Sequence, residues 1–272
     1  AVMDRIIDEP LHLERQNGMV HFLMPYARCG SFVQQPPRSL FLDGEIALML
    51  ATRQVVRQKD AYRQALQVRV DAIVERMQAG PVLCAESYPD ECWTFCNAVA
   101  LAAVRLSDHL VGTDHSDFFE RWVHSARQKL VDRETGLLVS SFTLSGQPMD
   151  GPEGSSVWMG AHCLQLIDGD FARDQYERAR RELGQETCGF GYAREWPSGW
   201  QGRDDVDSGP VIPVLGASAA AAEATVNTAM PIAFFAARTV AENIPFGSIT
   251  NIEAVFGVIA MRLARKLPLP PP

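Results

Sequence analysis

Phe95-Cys-Asn-Ala-Val99-Ala-Leu-Ala102-Ala-Val-Arg-Leu106-Ser-Asp-His-Leu110 leads through Val111-Gly-Thr-Asp-His115 into Ser-Asp-Phe-Phe119-Glu-Arg-Trp122-Val123-His-Ser-Ala126-Arg-Gln-Lys-Leu130. The first stretch places apolar residues at Phe95, Val99, Ala102, Leu106 and Leu110, in steps of three and four. That spacing predicts a helix with one buried face. The second repeats the pattern at Phe119, Trp122, Val123, Ala126 and Leu130. A joint as short as Val111 to His115 makes the two helices antiparallel neighbours, and so a helical hairpin.

The hairpin recurs outward in both directions. Tyr62, Leu66, Val70, Ile73 and Met77 form one further stripe, Ala172, Tyr176, Ala179 and Leu183 another, and Ile252, Phe256, Ile259 and Leu263 a last one. A helix from about Gly44 to Arg57 meets the next after Gln58 to Asp60. A helix from Ser155 meets one from Phe171 through Asp168 to Asp170. Between the pairs lie longer stretches rich in Gly, Pro, Ser and Asp: Gly80 to Asp90, Asp132 to Gly154, and Gly184 to Gly209. The best β candidate is Leu137 to Thr143. A short–long rhythm of connections puts the first helices of the pairs in one layer and the second helices in another. All the long loops then fall at one end. The expected fold is therefore all-α, an α/α toroid that is incomplete or open relative to a six-hairpin barrel. The segment Asp4 to Arg15 is a candidate for an added helix. An α-solenoid is the alternative, although the connections share no repeat motif. One domain is expected over residues 1–266, with a Pro-rich tail at 267–272.

Composition narrows the function classes. The chain has 272 residues, 47% of them hydrophobic and 21% charged, with a formal net charge of −8. Basic residues are interleaved with acids rather than gathered in a stripe, which argues against nucleic-acid binding. No apolar run reaches the ~18–20 residues that span a bilayer. The 6 cysteines, Cys29, Cys84, Cys92, Cys96, Cys163 and Cys188, form no CxxC and no zinc spacing. A reducing, cytoplasmic setting is the simpler expectation. A start at Ala1 is equally compatible with a removed leader or with a domain cut from a longer protein.

Four segments precede first-layer helices, and each carries acids: Phe41-Leu-Asp43-Gly-Glu45; Tyr88-Pro-Asp90-Glu91-Cys92-Trp93-Thr-Phe-Cys96-Asn97; Met149-Asp150-Gly-Pro-Glu153-Gly-Ser-Ser156; and Asp204-Asp205-Val-Asp207-Ser-Gly-Pro210. Capping and the helix dipole account for any one of these acids alone. They do not account for the aromatic residues beside them: Tyr88, Trp93, Trp158, Tyr192, Trp196 and Trp200. Carboxylates among aromatics in a cleft are a default small-molecule site, and two carboxylates in different surroundings can serve as acid and base. The Gly-rich loop Cys188 to Trp200 also carries Tyr192, Arg194, Glu195 and Trp196, and loops with such side chains are often functional. Arg194 could instead pair with a carboxylate at the mouth. Cys92 and Cys96 read as inert core thiols, as activated thiols at a helix start, or, least readily, as metal ligands. His162 and Cys163 are adjacent on a helix and point in different directions. His109, His115 and His124 read as turn or surface residues. There is no GxSxG, no P-loop, no HExxH and no GxGxxG after a strand, so neither a metal nor a cofactor is expected.

The run Cys84-Ala-Glu86-Ser-Tyr88-Pro-Asp90-Glu-Cys-Trp93-Thr-Phe-Cys96-Asn97, with Gly112-Thr-Asp114 after the helix, resembles linalool dehydratase/isomerase-like proteins. The resemblance implies an α/α toroid and cofactor-free acid–base chemistry on a small alcohol, with Asp90 or Glu91, Cys96 and Tyr88 as the positions able to serve. The segment Asp205 to Pro210 has no place in that motif. A carbohydrate-active enzyme is the competing reading, with Asp90 and Asp207, or Asp150 and Asp207, as the paired acids and Trp196 and Trp200 stacking on sugar rings. A non-catalytic helical binding domain is the third.

The expected catalytic set is Asp90, Glu91, Asp150, Asp207, Tyr192 and Cys96. The expected substrate-binding set is Tyr88, Trp93, Glu153, Trp158, Arg194, Glu195, Trp196 and Trp200. The partner is a small molecule, alcohol or carbohydrate. An open ring also invites closure by a second copy of the chain.

Overall fold

The computed structural model describes residues 2–187, 190–193 and 196–198. Seven helices appear among them: α1 (Val2–Asn17), α2 (Leu40–Val56), α3 (Asp60–Ala79), α4 (Thr94–Val111), α5 (Ser116–Lys129), α6 (Gly154–Leu164) and α7 (Gly169–Glu182). The short strands β1 (Cys92–Trp93), β2 (Ser141–Phe142) and β3 (Pro148–Asp150) form one antiparallel sheet, and β4 (Gly184–Thr187) pairs with β5 (Phe190–Ala193). Two 3-10 turns, Met19–Phe22 and Pro25–Cys29, join α1 to the segment before α2.

Burial separates the helices into two kinds. In α2 and α4 most residues on every side are buried, as in Ile46, Ala47, Leu50 and Ala51, or Ala98 to Val104. A helix apolar on all sides must be covered on all sides. The helices α3, α5 and α7 bury one stripe each: Tyr62, Leu66, Val70, Ile73 and Met77; Phe118, Phe119, Trp122, Val123 and Ala126; Phe171, Ala172, Gln175, Tyr176 and Ala179. The helix α2 packs on α4, and α4 on α6, while α3 packs on α2 and α7 on α6. The described part is thus an inner row α2, α4, α6, with α3 on α2, α7 on α6, and α5 reached from α4 by Arg105 over the Phe119 ring and reaching α7 by Arg127 over the Phe171 ring. Gly44 makes the row tight: a Cβ there would lie 3.3 Å from the Ala100 backbone nitrogen and Cβ.

The predicted stripes of α3, α5 and α7 are all buried, and the joints fall where expected. Gly112 ends α4 in a left-handed conformation (φ 78°), its N–H donating to the Asp108 carbonyl. Asp168 caps α7 by accepting from the Phe171 N–H at 2.7 Å. Two boundaries differ from expectation. The helix expected from Gly44 begins at Leu40, because Ser39 is its N-cap and accepts from the Leu42 N–H. The stretch from Gly184, read as a loop, opens with the β4–β5 hairpin, paired from Gly184↔Ala193 to Thr187↔Phe190. Thr187, Phe190 and Tyr192 supply the strand preference that the glycines masked. The stripe from Ile252 and the segments expected to complete a toroid lie outside the described residues.

Candidate functional site

The inner helices all start at the same end, and hydrogen bonds stitch their entrances in a row. The Leu40 N–H donates to the Glu86 carbonyl (2.8 Å) and the Ser39 hydroxyl to the Ser87 carbonyl (2.7 Å), joining α2 to the segment before α4. The Thr94 N–H donates to the Ser140 carbonyl (2.9 Å), and the Glu153 N–H to the Ser140 hydroxyl (2.8 Å), joining α4 to α6. Strand β2 lies between β1 and β3, with Trp93↔Ser141 and Ser141↔Asp150 as neighbours. Two strand spacings put the backbones of Trp93 and Asp150 roughly 10 Å apart.

Four carboxylates stand at this end: Glu45 on the second turn of α2, Glu91 just before β1, Asp150 at the end of β3, and Glu153 at the N-cap position of α6. Glu91 is 6% exposed, Asp150 2% and Glu153 2%. Neither α4 nor α6 has a side-chain cap. Capping therefore does not explain why acids stand at these two entrances. The Glu91 Oε1 accepts from the Tyr26 hydroxyl (3.1 Å) and from the Trp93 indole N–H, which fix the carboxylate in one orientation. Tyr88 lies against Tyr26 (ring centroids 5.8 Å) and Phe41 (6.1 Å). The Asp150 Oδ2 accepts from the Ser141 hydroxyl, and the Glu153 Oε2 from the Ser156 hydroxyl at 3.3 Å. Trp158 is half-buried on α6 and packs edge-on to Tyr176 (5.6 Å).

Asp90 has a different setting. It is exposed, sits at a positive φ of 50°, and its Oδ1 accepts from the Leu144 N–H at 3.2 Å. Those bonds tie the turn to the β2–β3 connection. Asp43, expected only as an acid at a helix start, is 1% exposed and ion-paired with both Arg38 and Arg69. Cys96 is buried on the first turn of α4. Trp196 is half-buried, and Tyr192 is on β5 with its backbone paired to Gln185. Arg194, Glu195, Trp200 and Asp207 lie outside the described residues.

The thiols follow burial rather than activation. Cys92 stands two residues before α4, yet desolvation pushes its thiol far up, with Cys84 and Glu86 adding to the effect. Cys84 is pushed up to about 12 by burial, partly opposed by the Trp122 indole N–H 3.3 Å from its Sγ. Cys163 is raised by burial, with the Glu45 charge adding to the effect. Among the described residues no group of acids, histidines and cysteines is arranged to hold a metal.

The structure adds residues that sequence reading did not single out for the site. Glu45 follows Phe41 by four on α2, and His162 follows Trp158 by four on α6, so each acid or imidazole shares a face with an aromatic. That spacing was the available signal. His162 is half-buried, and desolvation lowers it to about 4, so it is neutral near pH 7. Tyr26 carried no signal at all, since its contact with Glu91 spans 65 residues.

A row of helical hairpins with acids and aromatics gathered at the inner-helix entrances defines the class. The family follows from comparison: the chain belongs to the linalool dehydratase/isomerase family, whose model matches residues 44–230. That span contains Glu45, Glu91, Asp150 and Glu153, so all four acids belong to the shared region. It also extends the resemblance seen at Cys84 to Asp114 over most of the chain. The family is one of lyase- and isomerase-type enzymes. No curated protein matches the chain. No described helix is long and apolar enough to cross a membrane.

Proposed function

We propose that the chain is a cofactor-independent acid–base enzyme that dehydrates or isomerises a small alcohol at the entrances of α2, α4 and α6. The observation that carries this reading is Glu91: a buried carboxylate, oriented by Trp93 and by Tyr26, whose ring lies against Tyr88, in a chain of this family. Asp150 and Glu153 supply a second acidic group across β2.

In the reaction, a protonated carboxyl on the α6 side donates its proton to the substrate hydroxyl. The C–O bond breaks with its electron pair on oxygen, and water leaves. Glu91 takes a proton from the carbon next to the cationic centre, and the C–H pair becomes the new double bond. In isomerisation the carbon keeps its proton: water returns to the other end of the allylic cation and gives up a proton to the α6-side carboxylate, which is restored to its acid form. Tyr88, Trp93 and Trp158 give the cation π faces and keep bulk water away. Asp207, Tyr192, Cys96, Arg194, Glu195, Trp196 and Trp200 remain proposed members of the same mouth. The row of hairpins is proposed to be part of an α/α toroid, open or closed by a second copy of the chain.

The test is turnover. The purified chain is incubated with linalool and with shorter branched allylic alcohols, and the headspace is analysed for alkene and the solution for rearranged alcohol. Product that depends on Glu91 supports the reading, and no product from any alcohol overturns it.

A further inference from the structure

Glu86 is fully buried, on the segment between α3 and β1, and it makes no ion pair among the described residues. Its carboxylate is occupied by backbone. Oε1 accepts from the Val33 N–H (2.9 Å) and the Asp90 N–H (2.7 Å), and Oε2 from the Gln34 N–H (2.7 Å). One side chain therefore binds two separate pieces of chain: the 33–34 segment and the turn from Tyr88 to Glu91.

The first piece is itself anchored. Arg76 on α3 donates to the Pro36 carbonyl (2.6 Å) and the Arg38 carbonyl (3.2 Å), and the Gln34 side-chain amide donates to the Arg76 carbonyl (2.8 Å). The second piece is strained, with Asp90 at a positive φ that non-glycine residues rarely adopt. That turn carries Tyr88 at one end and Glu91 at the other, bridged by backbone bonds between them. A buried carboxylate without an ion pair is costly unless hydrogen bonds satisfy it. Here three N–H groups do, and the result is a rigid bracket from α3 to the mouth.

We propose that Glu86 is the positioning residue of the mouth: it holds the Tyr88–Glu91 turn against the anchored 33–34 segment and thereby sets where the Glu91 carboxylate points. The role rests on Glu91 acting in the proposed reaction, but its geometry is testable without any turnover. The indole N–H of Trp93 donates to Glu91, so its resonance reports the position of that carboxylate.

The experiment compares the wild-type chain with Glu86→Gln, Glu86→Asp and Glu91→Gln by two-dimensional amide NMR, hydrogen exchange and turnover. In Glu86→Gln one acceptor becomes an NH2 facing backbone donors. The expected result is a tenfold or greater rise in exchange at the Asp90 and Gln34 amides, a shifted Trp93 indole resonance, and kcat per folded molecule lowered tenfold or more with KM changed less than threefold. Glu86→Asp keeps both acceptor oxygens and should restore part of each effect. It also provides the measurement if the amide variant does not fold. Glu91→Gln should shift the indole and remove turnover while leaving Asp90 exchange unchanged. An unmoved indole together with unchanged turn exchange in folded Glu86 variants would overturn the positioning role. If the wild-type chain turns over no alcohol, the functional reading fails, and the indole and exchange readouts still decide the role of Glu86.

Discussion

Glu86 and Glu91 are both buried carboxylates on the approach to α4, and their partners differ in kind. Backbone amides saturate Glu86, whereas side-chain donors from Tyr26 and Trp93 orient Glu91. Glu91→Gln keeps a carbonyl acceptor for both donors but cannot take a proton. It should therefore fold normally and lose about 10²–10⁴ in kcat, measured on the best alcohol substrate. His162 yields a pH prediction. Its folded value, near 4, is below the ordinary 6.5, so between those values the unfolded chain binds a proton that the folded chain does not. Stability is thus lost as pH falls from 6.5 toward 4, by about 1–3 kcal/mol from this group. Urea unfolding at pH 7 and pH 4.5 should show a smaller difference in His162→Gln than in wild type. The thiols are graded the same way: iodoacetamide at pH 7.5 should label exposed Cys29 well before buried Cys84 and Cys163, as read by peptide mass spectrometry. The sequence could locate Glu91 and Tyr88 because helix entrances are locally encoded. It could not separate the role of Glu86, whose partners Val33 and Gln34 lie 53 and 52 residues away.

At the level of elements, α1 is held to α2 and α3 by Ile7, buried in the core with Met3, Ile6 and Leu11 against it, and by charge. Glu14 pairs with Arg69 (2.6 Å) and Arg38 (3.2 Å), Asp4 pairs with Arg53 (2.6 Å), and the Tyr62 hydroxyl donates to Asp8 (2.7 Å). Asp43, the most buried member, receives both Arg38 and Arg69. Asp43→Asn leaves Arg38 and Arg69 with Glu14 as their one remaining anion and should cost about 1–3 kcal/mol in chemical denaturation. A control at an exposed pair, Asp170 with Arg173, should cost under ~1 kcal/mol. Gly44 tests the α2–α4 contact: Gly44→Val overpacks against Ala100 and should destabilise by about 1–3 kcal/mol. Apolar periodicity revealed α3, α5 and α7, since their stripes decide which face is buried. The start of α2 was misplaced by four residues because its Ser39 cap precedes an apolar turn that also fits a loop entering the core. The β4–β5 hairpin was missed because glycines dominate its local reading.

For the whole molecule, the arrangement matters more than any single helix. The row α2, α4, α6 brings three chain segments far apart in sequence to one end, and Val139 to Ser141 ties two of them together. The short–long rhythm of connections made that arrangement legible, because it places every long loop beside an inner-helix entrance. It could not show how the acids would be partnered, since partnering depends on contacts across the row. If a second copy completes the ring, sedimentation velocity at micromolar concentration should show an oligomer, and a strictly monomeric profile would count against it. The most direct test of the central claim is product formation from linalool and related allylic alcohols, with wild-type and Glu91→Gln chains assayed side by side. The account predicts alkene or rearranged alcohol from wild type and a loss of at least a hundredfold in the variant. Equal rates in the two folded proteins, or no product from either, would contradict it.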